Sequence, residues 1–339
     1  MTEILVCVES GIYRGFIEEE FLKLKLSEIA GKLGIKLVGN GNREITGVTS
    51  PQDAEPSKIC VLWEKRIIPE LDKSVPIMTR EKYFDDDRDG LACELPRLKL
   101  AELLALFTKE VKVTGVDALA FVAENAVIAP SSHICAFSYI GENCEIGENT
   151  VIEPNAVILK DVKIGAGCII HSGAVIGADG FGFERTESGI VKIPQIGGVL
   201  IGDNVEIGAC TTIDRGAMGN TEIGSGTKID NHVQIGHNVK VGKNCIICSM
   251  SGVAGSSIIE DNVTISVQAG INDHVRVGAG TIIAGRAGVT SDIPAGSVIS
   301  GFPARNHNDA KRALMLNADL PSIVKRLRTL ERKVNEAYK

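Results

Sequence analysis

The chain has 339 residues, a formal net charge of −7 and no run of 18 apolar residues. That is long enough for two domains, too acidic for a general nucleic-acid binder, and without an expected membrane-spanning segment. The nine cysteines are scattered without a framework, and residues 1–16 lack the basic start and long apolar stretch of a secretory leader. This predicts a reducing, cytoplasmic setting.

Residues 1–24 form an extension, expected to hold a strand and an acidic helix, to which no role is assigned. Residues 25–110 predict a small α/β domain. Ser27 is the expected N-cap of a helix over 27–36, short strands follow at 44–48 and 75–78, and a second helix covers 98–108.

From Val122 an Ile or Val recurs every sixth residue through Ile176, then at Ile201, Ile207 and Ile213, then from Ile223 through Val289. A period of six is neither helical nor that of a simple strand. It predicts a mainly β fold over 111–303: a parallel β-helix of hexapeptide repeats, three hexads per triangular coil and about eight coils spaced roughly 4.8 Å apart. Residues after the inward position are often glycine (Gly141, Gly147, Gly208, Gly224), read as corner residues.

Two interruptions break the phase. Ile176 to Ile201 is 25 residues, one more than four hexads, and contains Asp179, Gly180 and Phe181. Ile213 to Ile223 is ten, four more than one hexad, and contains Arg215 to Asn220. Insertions of this kind become loops over one side of a solenoid, often the binding side. Cys245 and Cys248 form a CxxC inside an unbroken run and read as packing residues, so no metal site is expected.

Residues 304–339 predict a helical tail. Ile323, Leu327, Leu330, Val334 and Ala337 alternate by four and three, a seam too short to hold alone. It predicts a homotrimer whose tails meet. Between Arg305 and Lys333 eight Lys/Arg face three Asp/Glu, which suits either a solvated helix or an acidic partner.

No P-loop or nucleophile motif is present, and the chemistry falls to histidines. His237 lies two residues after inward Ile235 and His274 three after inward Ile271. The 36 residues from Ile235 to Ile271 are two whole coils, which puts the pair on one side, about 10 Å apart. Asp230 could orient an imidazole as a carboxylate does in many acid–base sites.

With these residues assembled, the chain resembles the UDP-3-O-(3-hydroxyacyl)glucosamine N-acyltransferases of lipid A (lipopolysaccharide) biosynthesis. The resemblance covers roughly residues 26–335. It rests on four stretches in order: His171 to Phe183, Gly208 to Ala217, Ile229 to Val239 and Ser300 to Arg305. It implies a left-handed β-helix, a trimer with sites between subunits and a uridine-binding domain over 25–110. The implied donor is a 3-hydroxyacyl thioester on the 4′-phosphopantetheine of acyl carrier protein, with no other cofactor. The implied acceptor is the 2-amino group of a UDP-linked acylated glucosamine. Carried over, His237 matches the catalytic base and His274 a substrate-contacting histidine. Asp230, Gln234, Asp179 and Phe181 match substrate-binding positions. A backbone N–H at Gly252 or Gly255 is the candidate oxyanion donor. The stretch Ile59 to Ile67 departs from the family's Phe, Asn and Tyr pattern for uracil; Trp63 is read either as a base-stacking residue or as core.

Two other activities share the solenoid. A γ-type carbonic anhydrase needs a third histidine upstream of His232, and none lies between His171 and His232. A short-chain N-acetyltransferase using acetyl-CoA on another nucleotide-linked amino sugar is the nearer alternative.

Overall fold

The computed structural model of the chain describes residues 2–8, 11–17, 23–84, 87–108, 113–301 and 306–338, the first two segments as backbone only. The chain divides into two units, Met1–Lys112 and Val113–Lys339.

In the first unit, residues 2–8 and 11–17 pair as an antiparallel hairpin. The second of these segments is therefore strand; residues 18–22 of the expected acidic helix lie outside the described residues. Helix α1, Leu26–Leu33, starts before the expected Ser27 cap. Lys25 is the N-cap, and its N–H donates to the Glu28 carboxylate at 2.8 Å. Ser27 sits inside the first turn and donates its N–H to the Gly41 carbonyl. Gly34 at φ 61° ends the helix, since a left-handed residue suits glycine there, and residues 36–38 turn into a sheet. That sheet has five strands: Lys36–Val38 runs antiparallel to Gly90–Ala92, followed by parallel Ile77–Thr79, Lys58–Val61 and Gly47–Thr49. Helix α2, Pro96–Ala105, begins two residues ahead of the expected Leu98 because Pro96 occupies its first turn. Leu26, Ile29 and Leu33 of α1 and Leu103 of α2 bury with Ile59, Met78 and Leu91 of the sheet.

The second unit is a parallel β-helix with three sheets of 10, 9 and 8 strands. Strands pair with those 18 residues on, as in Ile134↔Ile152, Ile140↔Ile158 and Ile146↔Ile164, which define a first, second and third face. The stack is taller than the expected eight coils. Val116 extends the phase backwards, and Ile293 and Ile299 extend it forwards in coils two residues shorter. The inward series from Ile134 to Val289 is buried throughout. Each such side chain contributes about 1.5–3 kcal/mol on burial, but only because a neighbouring coil covers it.

Three hexad positions make the stacking possible. Where the residue after the inward one is glycine, it mostly faces the backbone of the next coil: a Cβ on Gly147 would lie 2.6 Å from the Gly165 carbonyl carbon, and one on Gly224 2.5 Å from that of Gly242. These glycines answer close approach, not corner geometry as the sequence suggested. The corner falls two residues later, where the backbone is left-handed in hexad after hexad: Asn143 φ 57°, Asn149 φ 55°, Asn204 φ 56°, Asn244 φ 53°. Asparagine tolerates this conformation better than most residues. Two residues before the inward one, a small donor reaches the next coil's backbone, as in Thr150 Oγ1 to Gly165 O at 2.8 Å and Thr227 Oγ1 to Gly242 O at 2.8 Å. Cys245 fills the same position, its Sγ 3.1 Å from Glu260 O, and burial pushes its thiol above the ordinary value.

The first face carries a charged staple. His171 Nδ1 lies 3.1 Å from Glu153 Oε1 and Nε2 lies 3.1 Å from Glu206 Oε1, on the coils either side. Burial opposes the imidazolium, but the hydrogen bonds and charges of Glu206 and Glu153 outweigh it and the histidine pKa is raised.

Helix α3, His307–Ala337, is capped by Asn306, contains Pro321, and buries none of its residues. Ile323, Leu327, Leu330 and Val334 are all exposed along it.

Two predictions follow from this packing. Gly224→Ala is expected to cost about 2–3 kcal/mol in chemical denaturation, because backbone must shift to admit the methyl group. Gly31→Ala, at an exposed α1 position where a Cβ meets nothing within 4 Å, should instead stabilise by about 0.5–1 kcal/mol. The second concerns pH. A raised folded-state pKa gives stabilisation that is complete below the ordinary histidine value and lost as pH rises through the raised one. Above the carboxylate range, the wild-type denaturation midpoint should fall through that window relative to His171→Gln; parallel curves would mean the staple contributes nothing.

Candidate active site

Both insertions leave the solenoid through the same corner, between the second and third faces. Ile164↔Ile201 and Ile176↔Ile213 are in register. The 25-residue gap is therefore one hexad step carrying a long loop, not four hexads and a slip. That loop holds an antiparallel hairpin, Phe183–Thr186 with Gly189–Lys192. The second insertion, between Ile213 and Ile223, sits one coil on. The corners of the following coils belong to His237, to Gly255 and to Asp273 and His274. A cavity of about 960 Å³ lies along these coils.

His237 is two residues past inward Ile235, and glycine clears space on both sides of it. A Cβ on Gly180 of the first loop would lie 2.8 Å from the imidazole Cγ and Cδ2, and one on Gly255 2.7 Å from Nε2. The ring is held between two backbones. Its Nδ1 lies 3.2 Å from Asn238 Oδ1. The Asn238 amide is oriented by the second insertion: Oδ1 accepts from Ala217 N–H at 2.9 Å, and Nδ2 donates to Met218 O at 2.9 Å. Oδ1 is therefore an acceptor towards His237, which sets the neutral ring as the Nδ1–H tautomer. The free lone pair is on Nε2, on the Gly255 side.

His274 lines the same cavity from a left-handed corner at φ 56°, its N–H donating to Gly255 O at 3.1 Å. Gln234 lines it from the second face. From the first loop, Asp179 pairs with Lys192, whose hydrogen bond and charge hold that carboxyl below its ordinary value. Phe181 is 85% exposed and meets Phe183 edge-on at 4.9 Å.

Asp230 is not in this cavity. It follows inward Ile229 on the first face, and its carboxylate accepts from Asn231 N–H at 2.8 Å and Ser249 N–H at 3.0 Å. It joins stacked coils and does not orient His237; that task falls to Asn238. The two oxyanion candidates also separate. Gly252 N–H donates to Ala269 O at 2.9 Å within the ladder, whereas Gly255 N–H has no acceptor among the described residues.

The residue missed from sequence is Asp214. It follows inward Ile213, starts the second insertion and lines the cavity, partly buried. Gln234 Nε2 donates to its Oδ2 at 2.9 Å, and Thr212 Oγ1 donates to Gln234 Oε1, fixing which way that amide faces. Burial pushes the Asp214 carboxyl above its ordinary value, against the hydrogen bond from Gln234 and the charge of His237. Counting phase from Ile213 to Ile235 would have placed it beside His237.

In the first unit, Trp63 is 48% exposed and is not a core residue. It borders a cavity of about 590 Å³ with Arg80, Leu95, Pro96, Arg97 and Leu98. No helix among the described residues is long and apolar enough to cross a membrane.

The bacterial transferase hexapeptide family, with its six repeats, matches residues 120–153, 143–178 and 220–255, which supports the left-handed sense of the β-helix. The UDP-3-O-acylglucosamine N-acyltransferase of Methylorubrum populi is 51% identical over 43% of this chain and 42% of its own length. The chain thus spans about two fifths of the relatives it matches at that identity. The enzyme of the same name from Coxiella burnetii (strain Dugway 5J108-111) is 36% identical over 92% of this chain and 98% of its own. Among solved structures, the Francisella novicida UDP-N-acetylglucosamine acyltransferase superposes with a TM-score of 0.52 at 31% identity, over 59% of this chain and 73% of its own. With the full-length match, the repeats and the corner site together, the chain belongs to the UDP-3-O-acylglucosamine N-acyltransferase family.

Proposed function

We propose that the chain is a cytoplasmic N-acyltransferase of lipid A biosynthesis. It moves a 3-hydroxyacyl chain from the phosphopantetheine thioester of acyl carrier protein to the 2-amino group of a UDP-linked, 3-O-acylated glucosamine. The observation that carries this reading is the orientation of His237, held between Gly180 and Gly255 with its Nδ1 on Asn238 and Nε2 free. As the amine attacks the thioester carbon, Nε2 takes its proton; as the C–S bond breaks, the imidazolium returns that proton to the thiolate. Gly255 N–H is the donor for the oxyanion. His274 and Gln234 contact the sugar. Phe181, Phe183, Val253, Ala254 and Ile271 give the cavity apolar walls suited to an acyl chain.

The remaining surfaces fit the same reaction. Trp63 with Arg80 and Arg97 suits a base and its phosphates. The basic stretch between Arg305 and Lys333 suits an acidic carrier protein. The uncovered apolar side of α3 is suited to two further copies, giving a homotrimer.

His237→Ala should lower kcat/KM by about 10²–10⁴-fold with the fold intact; full activity would refute its role as base. A screen of acyl carrier protein thioesters against acetyl-CoA should give product only with the former, and a preference for acetyl-CoA would move the chain to the acetyltransferases. Leu327→Glu with Leu330→Glu should reduce the sedimenting species below a trimer; an unchanged species would remove α3 from the assembly.

A further inference from the structure

We propose that the Asp214 carboxylate binds the acceptor's amino group as an ammonium ion, and so makes the site select an amine over a hydroxyl. This rests on reading the cavity as an N-acyltransferase site and names the residue that recognises the acceptor.

Charge in the cavity supports it: of the three aspartates that line it, Asp273 is exposed to solvent, whereas Asp214 is partly buried. The cation of the first loop, Lys192, is already paired with Asp179. Arg215, next in sequence to Asp214, turns away: its Nε donates to Gly177 O at 2.8 Å, its guanidinium also reaches Lys160 O, and Asp161 lies 3.7 Å from it. Oδ2 of Asp214 receives only the neutral amide of Gln234. Oδ1 has no donor among the described residues. A partly buried carboxylate without a cation is unfavourable unless something brings one. His237 does not serve, because as a base it must enter the reaction neutral. A sugar ammonium supplies both the charge and N–H donors. A hydroxyl supplies one donor and no charge, and leaves the carboxylate uncompensated.

The proton accounting closes. The ammonium donates an N–H to Oδ1 on binding. One proton passes to water as the neutral amine forms. The amine attacks the thioester carbon, and His237 Nε2 takes a second proton as the C–N bond forms. That proton goes to the departing thiolate as C–S breaks. The products are an amide, a thiol and one proton in solvent.

The test compares wild type, Asp214→Asn, Asp214→Glu and His237→Ala, each checked for an unchanged melting temperature. Calorimetry measures binding of UDP-glucosamine and UDP-glucose, which differ at the 2-position as amine and hydroxyl; steady-state assays use the acylated amine acceptor. Wild type should prefer the amine by roughly ten- to hundredfold. Asp214→Asn should lose that preference and raise KM by a similar factor. Asp214→Glu should restore part of it, which a merely structural role would not do. His237→Ala should keep the preference while losing turnover. If wild type acylates the amine but Asp214→Asn keeps both preference and KM, the assignment of Asp214 is overturned and the proposed function stands. If wild type acylates no amino sugar, the proposed function itself falls and takes this assignment with it.

Discussion

The distance between successive coils governs this molecule. Stacked strands lie about 4.8 Å apart, and at that spacing backbone meets backbone after the inward residue in many of the hexads. Gly147, Gly208 and Gly224 stand there because a Cβ would enter the next coil. The chain then turns through a left-handed residue, and the next branched side chain points inward. Nothing in this cycle can lengthen without breaking the ladder, so additional residues have to leave at a corner. Both insertions leave at the same one. A rigid prism therefore presents two loops, one coil apart, over the corners of the coils that follow.

The corner that holds His237 is the ordinary corner with its partners changed. Elsewhere the left-handed asparagine ties to its neighbour in the stack, as Asn143 Nδ2 does to Asp161 Oδ1 at 3.0 Å. Asn238 has the same backbone, φ 61°, but its amide is taken by Ala217 and Met218 of the second insertion. This leaves Oδ1 directed at His237. A structural residue of the repeat thereby fixes a tautomer, and the loop that disturbs the repeat is what allows it. The first insertion contributes Gly180 against the other side of the ring. The imidazole is positioned by packing on both sides and by one oriented hydrogen bond, which is the preorganisation a general base requires.

Much of this could be read from phase alone. The inward series gave the three faces, and two whole coils between Ile235 and Ile271 put His237 and His274 in one cavity. What escaped did so for definable reasons. The gap from Ile176 to Ile201 is nearly a multiple of six, so length could not distinguish four hexads from one hexad and a hairpin; only pairing of Ile164 with Ile201 does. Asp230 lies near His237 in sequence but one face away, because hexads rotate neighbours apart by a third of a turn. Asp214 is remote in sequence and adjacent in space for the same reason. Asn238 is a corner residue of the repeat like its counterparts in other hexads. Its second task depends on which amide and carbonyl groups of the insertion reach it, and sequence spacing carries no information on that.

Asp179 and Asp214 line one cavity and are driven in opposite directions. Lys192 holds the first ionised and neutralises it. Burial raises the second, with only a neutral amide and the His237 ring opposing. Asp179 is therefore compensated within the chain, Asp214 is not, and the third aspartate of the cavity, Asp273, is exposed to solvent. In the proposed acyl transfer to an amine, the Asp214 carboxylate acts twice. Before the chemistry it favours a cationic acceptor over a neutral one. During it, when Nε2 has taken a proton, the same carboxylate faces an imidazolium and stabilises it, as a buried aspartate does beside a catalytic histidine. The ammonium must lose its charge before it can attack, so the two cations succeed each other and do not compete. In that reaction the partly buried Asp214 carboxylate keeps its negative charge throughout and meets a positive partner at each stage.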